Sequence, residues 1–410
     1  MRLLVQELKK MWRPGAAAAL VLFGALLYSL SASFAVRYFP NGPQAQHDFE
    51  AALNWHGRFG SSLDADEVEQ IAREAEDAWA EAERAIAEMP AARETGIATK
   101  EELDAFAVDV AAREQEARAA GVEPGVELAL DRELLDSMLG LPAYARAANA
   151  EIGAQGLTGY ADTLANHVAE AADMTTVAQE RLRALGEGEQ GYLSDMWLQN
   201  VEMYLSALAV WLMIAPVFVA APAAARDRLC RVRATQWTSR TGRRLFATQL
   251  AAVVCSVVSV LVASVAAWAL PFAQTGVFAL ADVRMAGGLN VYCCWWDMTF
   301  GAYVAARVLL MMALGLGSGV AAWLLARTSA GYVGMLLRLV PWCVCWGWLV
   351  APGLFDHALC VRLAPEGIGR AVAALPVPGA EVVFVMIALV LVAFWCAMAA
   401  VRQHRGELAE

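Results

Sequence analysis

Arg307 and Arg338 stand inside two long apolar runs, 301–326 and 332–355. A guanidinium keeps its charge at any accessible pH, so at depth in a bilayer it costs several kcal/mol unless it snorkels or meets a polar interior. Each arginine lies roughly 6–8 residues from the end of its run, about 10 Å deep at the helical rise. Two chemistries suit such a residue: a substrate pathway, or an ion pair between helices. Glu202 and Glu381 are candidate partners for such a pair, with a place facing the headgroups as the competing reading, because each stands at the end of a run. Snorkelling is the competing reading for both arginines.

A second concentration of charge is "RDRLCRVRATQWTSRTGRRL", residues 226–245, with seven arginines and one acid. Arginine pairs bidentately with carboxylates and phosphates. Asp227, Arg231, Arg233, Trp237, Arg240, Arg243 and Arg244 are therefore candidates for docking a soluble partner, with Trp237 as the apolar anchor. Nucleic acid is a poor fit, because the segment has one aromatic residue and is tethered between two apolar runs. Of the eight cysteines, Cys293, Cys294 and Cys360 fall in short polar loops, where an oxidising compartment permits Cys360 to bond one of the other two. Cys343 and Cys345 sit within an apolar run and read as small apolar residues. Gly315 and Gly319 form a G-x-x-x-G pair, which lets helices approach closely, within one chain or between two. No phosphate-binding loop, catalytic triad or cysteine-histidine metal spacing occurs, so neither catalysis nor a bound cofactor is expected.

These residues need elements to hold them. The chain is 59% hydrophobic, above the roughly 45–50% of a soluble domain. Six stretches reach the length of about 20 residues that a bilayer requires: 15–36, 204–223, 246–272, 301–326, 332–355 and 382–401. The first is too long for the apolar core of a signal peptide and reads as an uncleaved anchor. Basic residues select the cytoplasmic side. Arg2, Lys9, Lys10 and Arg13 precede the first run, the 226–245 stretch joins the second to the third, Arg327 follows the fourth, and Arg402 and Arg405 follow the sixth. With six spans all of these fall on one side. Both termini are then cytoplasmic in a multi-pass protein of the cell membrane, and 37–197 lies outside.

That 37–197 segment carries 32 acids and 12 bases, whereas the rest of the chain is net basic. Ile71, Ala75, Ala78, Ala82, Ala85 and Met89 repeat at helical spacing, and Thr99 with Glu102 forms a capping-box pattern. Four helices are expected, over 61–89, from 99, over 126–141 and over 157–185, with His47, His56 and His167 solvated or capping. The fold class is thus all-α: six membrane helices plus an extracellular helical domain. Its expected divisions are an amphipathic 1–14 with Leu3, Leu4, Leu8 and Trp12 toward lipid, spans at 15–36 and 198–223, a cytoplasmic loop at 224–245, four spans within 246–401, and a tail at 402–410. The semi-apolar segment 363–381 is expected to dip into the outer leaflet.

This layout resembles the ABC-2 type transporter permease family over nearly the full chain. Six spans, an amphipathic start, a basic loop between spans two and three and a large helical insert after span one all match. "GIATKEELDAF" at 96–106 resembles a segment of such inserts, and "TSRTGRR" at 238–244 resembles a variant of the family's coupling turn, with Asp227 at its acid. The family's Gly-Thr, proline and closing lysine are absent, and Gln249 stands about where that lysine would be. The resemblance implies an exporter half that pairs with a second permease copy or a paralogue in the lipid bilayer. It also implies a separate ABC ATPase subunit, which binds the ATP and Mg²⁺. A non-transporting receptor or surface protein, acting through its outside domain, is the alternative.

Overall fold

An apolar run with no water to satisfy its amides has one local solution, the helix, because every N–H then finds a carbonyl within the segment. The computed structural model describes residues 2–123, 125–170, 176–186, 188–229, 245–290, 292–329, 331–361, 368–373, 375 and 377–409. Among them the chain is all-helical, with isolated bridges in place of strands. Among the described residues six helices are long and apolar enough to cross a membrane. Helix α1 is Arg2–Met11 and α2 is Pro14–Arg37, which widens to a π-turn at Tyr28–Ala32. Eight helices, α3 to α10, make the insert. Then come α11 (Asp195–Leu229), α12 (Leu245–Ala273), α13 (Phe300–Arg327), α14 (Tyr332–Phe355, with a π segment at Val344–Val350), the short α15 (Ile368–Ala373) and α16 (Ala380–Ala409).

Helix α11 is the axis of the apolar bundle. Of its most apolar window 78% is buried, against 11% for α2 and 6% for α16. It packs chiefly on α13, and the glycine pair shows why. A methyl group added at Gly315 would meet the Leu212 carbonyl oxygen of α11 at 2.6 Å, and one at Gly319 would meet Pro216 Cβ at 2.7 Å and Val257 of α12 at 2.9 Å. The G-x-x-x-G face is thus filled from within the chain.

The insert comprises α3 (Pro43–Phe59), α4 (Ala65–Glu88), α5 (Pro90–Thr95), α6 (Lys100–Ala120), α7 (Val126–Leu139), α8 (Pro142–Thr158), α9 (Tyr160–Glu170) and α10 (Thr176–Leu185). Capping boxes start α4 at Asp64 and Glu67 and α6 at Thr99 and Glu102. Helices α4 and α8 meet along a small-residue seam, with Ala75, Ala82, Ala147 and Ala154 buried. Here the four-helix expectation is corrected. Pro43 and Pro142 begin α3 and α8, as proline does at a first turn, where its missing N–H would have no partner anyway. Both helices escaped the periodicity because their faces mix small, aromatic and polar residues. The expected 157–185 helix is divided between the end of α8, α9 and α10. In α4, Ile86 is fully buried where Ala85 was expected to face inward.

The insert contributes to more than one core. Its distal core gathers Ile86, Ile97, Leu103, Val110, Leu135 and Met138. Its proximal core, with Phe49, Trp55, Leu63, Ile71 and Leu157, is continuous with the core of the apolar helices. Two glycine joints allow that junction. A Cβ on Gly288 would fall 1.9 Å from the Gly156 carbonyl oxygen, and one on Gly287 equally close to that of Gly191. The 274–299 loop therefore lies backbone to backbone against the insert.

Helix α1 is also corrected. Leu3 and Trp12 are exposed, but Leu4 and Leu8 pack on the core beside buried Met11 and Glu7. Ion pairing of its polar side turns this helix toward the bundle. Of the expected outer-leaflet segment, the described part is α15 and the turn before α16, and the remainder lies outside the described residues.

Candidate functional site

Arg307 is fully buried in α13. Its Nη1 donates to Glu202 Oε1 of α11 and to the Tyr303 hydroxyl at 2.7 Å, and its Nη2 donates to the Phe355 carbonyl oxygen at 2.5 Å. Tyr303 lies one helical turn before Arg307, so both face Glu202, and its hydroxyl donates to Glu202 Oε1 at 2.8 Å. One oxygen of Glu202 thus holds a charge from one helix and a hydroxyl beside it, while Phe355 brings in the end of α14. Arg338 behaves differently. It is exposed and reaches Thr328 Oγ1 at 2.7 Å, at the end of α13. Arg307 thus takes part in an inter-helix ion pair, whereas Arg338 bonds a hydroxyl at the end of α13. Of the two acids foreseen as partners, Glu202 is the one paired with Arg307. Glu381 is buried at the start of α16.

The loop after α14 completes this end of the bundle. His357 adopts φ +46° and Leu359 φ +69°, a region that side-chain-bearing residues enter at a cost of about 1–3 kcal/mol. The twist lays the His357 ring on Tyr292, with centroids 4.2 Å apart, and turns Nδ1 to Glu202 Oε2 at 3.5 Å. Burial, with Glu202 and Asp195 nearby, pushes the Tyr292 hydroxyl far above its usual range. Asp356 lies 3.5 Å from the far ring nitrogen of His357 and is largely exposed. Glu202, His357 and Asp356 are the described residues that could hold a metal. Sequence reasoning missed Tyr303, Tyr292, His357 and Asp356 as partners. Only the one-turn spacing of Tyr303 and Arg307 carried a signal.

The cysteines lie beside this cluster. Trp295 N–H donates to the Leu359 carbonyl at 2.9 Å and Val361 N–H to that of Cys293 at 2.8 Å, leaving Cys294 and Cys360 directly opposed. Opposed residues flanked in this way are the closest type of antiparallel pair. Their sulfurs are 3.1 Å apart. Cys293 points the other way, into a small core with Leu182, Leu185 and Trp295. Burial pushes its thiol up to about 12. The geometry therefore chooses between the two adjacent cysteines, which spacing left open.

At the opposite end, polar side chains tie the helix ends together around the arginine-rich loop. Lys10 of α1 lies 2.6 Å from Glu7 and 3.5 Å from Asp227. Arg226 donates to the Lys10 carbonyl at 2.9 Å, and Gln249 of α12 donates to Asp227 at 3.2 Å. Arg327 of α13 reaches Gln249 at 3.4 Å and Gln403 of α16 at 2.5 Å, over the rings of Phe246 and Trp323. Asp227 is thus a shared acceptor at the mouth of the loop. Arg231, Arg233, Trp237, Arg240, Arg243 and Arg244 lie outside the described residues. Lys10 and Arg327, which the sequence offered only as markers of sidedness, are members of this clasp.

Concavities among the described residues lie along the bundle. A cavity of about 230 Å³ between α13, α14 and α16 is lined by Leu314, Ser318, Trp342, Trp346 and Trp395. A groove of about 490 Å³ between α2, α11 and α12 includes Trp12, Gly24, Trp211 and Trp268. The wall of the cavity is almost wholly carbon, and the groove is mainly apolar, with Tyr28 and Ser264 among its lining residues. No family model, no curated protein and no solved structure matches this chain.

Proposed function

We propose that the chain is the membrane-spanning permease subunit of an ABC-type exporter. The observation that carries this reading is the clasp of Lys10, Asp227, Gln249, Arg327 and Gln403, which joins α1, α11, α12, α13 and α16 at the ends that flank residues 230–244. A lever must be fixed to what it moves, and the ends of α11 and α12 that flank this loop are tied by polar contacts to the helices around them. An ATPase seated on the arginines would push Asp227, and the clasp would pass that push to the other helix ends. Packed helices respond by rigid displacement rather than local deformation.

In this reading the clasp end is cytoplasmic, both termini are inside, and the acidic helical insert is extracellular on a cell membrane. The chain hydrolyses no ATP. The nucleotide and its Mg²⁺ belong to a separate ATPase subunit, and a second permease copy or a paralogue completes the membrane half. The arginine-rich loop serves protein docking and not nucleic acid. The ABC-2 layout, the excess of arginine at one end and the absence of a phosphate-binding loop support this reading.

The test is co-purification. A tagged chain, purified from the cells that encode it, should retain an ATPase with a phosphate-binding loop on the column. Arg240→Glu, Arg243→Glu and Arg244→Glu together should release it without lowering permease yield. Retention by the triple variant, or no retention by the parent, would remove the docking role from this loop.

A further inference from the structure

Two buried polar atoms face each other without a hydrogen bond. Glu202 Oε2 and His357 Nδ1 are both sealed from solvent, both lack a hydrogen-bond partner, and lie 3.5 Å apart. Glu202 is only 5% exposed. An unmade buried acceptor is costly, so the gap between these atoms favours a cationic guest. Its width suits one. Zinc bonds of about 2.0–2.1 Å in a tetrahedron set neighbouring ligand atoms about 3.3 Å apart. One ligand atom each from Glu202, Asp356 and His357 lies within 4.8 Å of the others.

We propose that Glu202, His357 and Asp356 form a binding site for a divalent transition-metal cation of the Zn²⁺ class. The mixed imidazole and carboxylate set selects that class over Mg²⁺ and Ca²⁺, which take oxygen ligands. The surroundings fix the ligands as an outer shell does. Arg307 and Tyr303 occupy Oε1 of Glu202 and leave Oε2 turned to His357. Tyr292 stacks on the imidazole and sets its plane. The left-handed backbone of His357 aims the ring inward. Asp356, with 61% of its side chain exposed, marks the solvent side and the path of entry. Arg307 offsets one of the two carboxylates, so a solvent-derived ligand carrying negative charge, chloride or hydroxide, suits the remaining position. This inference stands apart from the permease reading, because it concerns the other end of the bundle.

The test uses the purified full chain in detergent micelles, stripped with chelator and titrated with Zn²⁺ alone by calorimetry, and with Co²⁺ as a visible-absorption probe of coordination. One Zn²⁺ per chain is expected. His357→Gln should weaken binding more than tenfold, Asp356→Asn should weaken it less, and Arg338→Gln should leave it unchanged. Both site variants alter partly exposed side chains, and size-exclusion profiles confirm that each variant is folded. The proposal is overturned if the parent binds no Zn²⁺ stoichiometrically, or if His357→Gln binds as the parent does.

Discussion

Arg307 is enclosed on every side, and the cost of enclosing it decides what substitution there does. Removing one member of a buried pair strands the other charge, at about 3–5 kcal/mol, whereas replacing both with apolar residues is often near neutral. Arg307→Met alone and Glu202→Met alone are each expected to destabilise by that amount in thermal or denaturant unfolding, and the double variant to recover most of it. Additive losses would show that the pair is not one unit. The opposed sulfurs of Cys294 and Cys360 support a second prediction. In the outside-facing placement proposed above, the two thiols pass two electrons and two protons to an oxidising thiol–disulfide exchange partner and become a disulfide. Peptide mass mapping without reductant should find this cross-link, and Cys294→Ser should abolish it without diverting Cys360 to Cys293. Cys293 supplies a pH test. Its raised pKa keeps it protonated through the neutral range, and the thiolate is the reactive form. Alkylation of Cys293 should therefore climb about tenfold per pH unit and level off only near the raised value. A plateau already reached at pH 9 would contradict the burial.

At the scale of elements, packing turns on where side chains are missing. Gly319→Leu would drive carbon into Pro216 and Val257, and overpacking of this kind costs about 1–3 kcal/mol. The expected readout is a lower unfolding midpoint with unchanged oligomeric state in cross-linking. Altered oligomerisation at unchanged stability would instead assign the glycine face to a second chain. The sequence made the apolar helices legible because length and the absence of charge suffice. It made α4 legible through its apolar period and α6 through the capping box at Thr99 and Glu102. Helices α3 and α8 were not legible, because a mixed helical face gives no period until its neighbour is known. The turn of α1 toward the bundle was hidden for the same reason, since its direction depends on Asp227 more than 200 residues away.

For the whole molecule, the insert and the apolar helices share one core, so a change at one end has a mechanical route to the other. Asp227→Ala tests that route. It removes the acceptor shared by Lys10 and Gln249 and leaves the arginines of the loop in place. In the complex proposed above, ATPase capture is expected to persist, while stimulation of the ATPase falls. Unchanged stimulation would show that the clasp is structural only.

The length and placing of the apolar runs alone determined that this chain has six segments able to cross a bilayer as helices. Each such segment satisfies its own amides, so no distant residue is needed to decide it. Charge bias alone marked one end of the bundle as basic. Which residues meet was decided only by the tertiary structure. Glu202 and Arg307 are separated by 105 positions, and Tyr292, His357 and Asp356 join them from two different loops. A charge finds its partner through the packing of whole helices, and helix packing is set by small-residue contacts that carry no charge signal in the sequence.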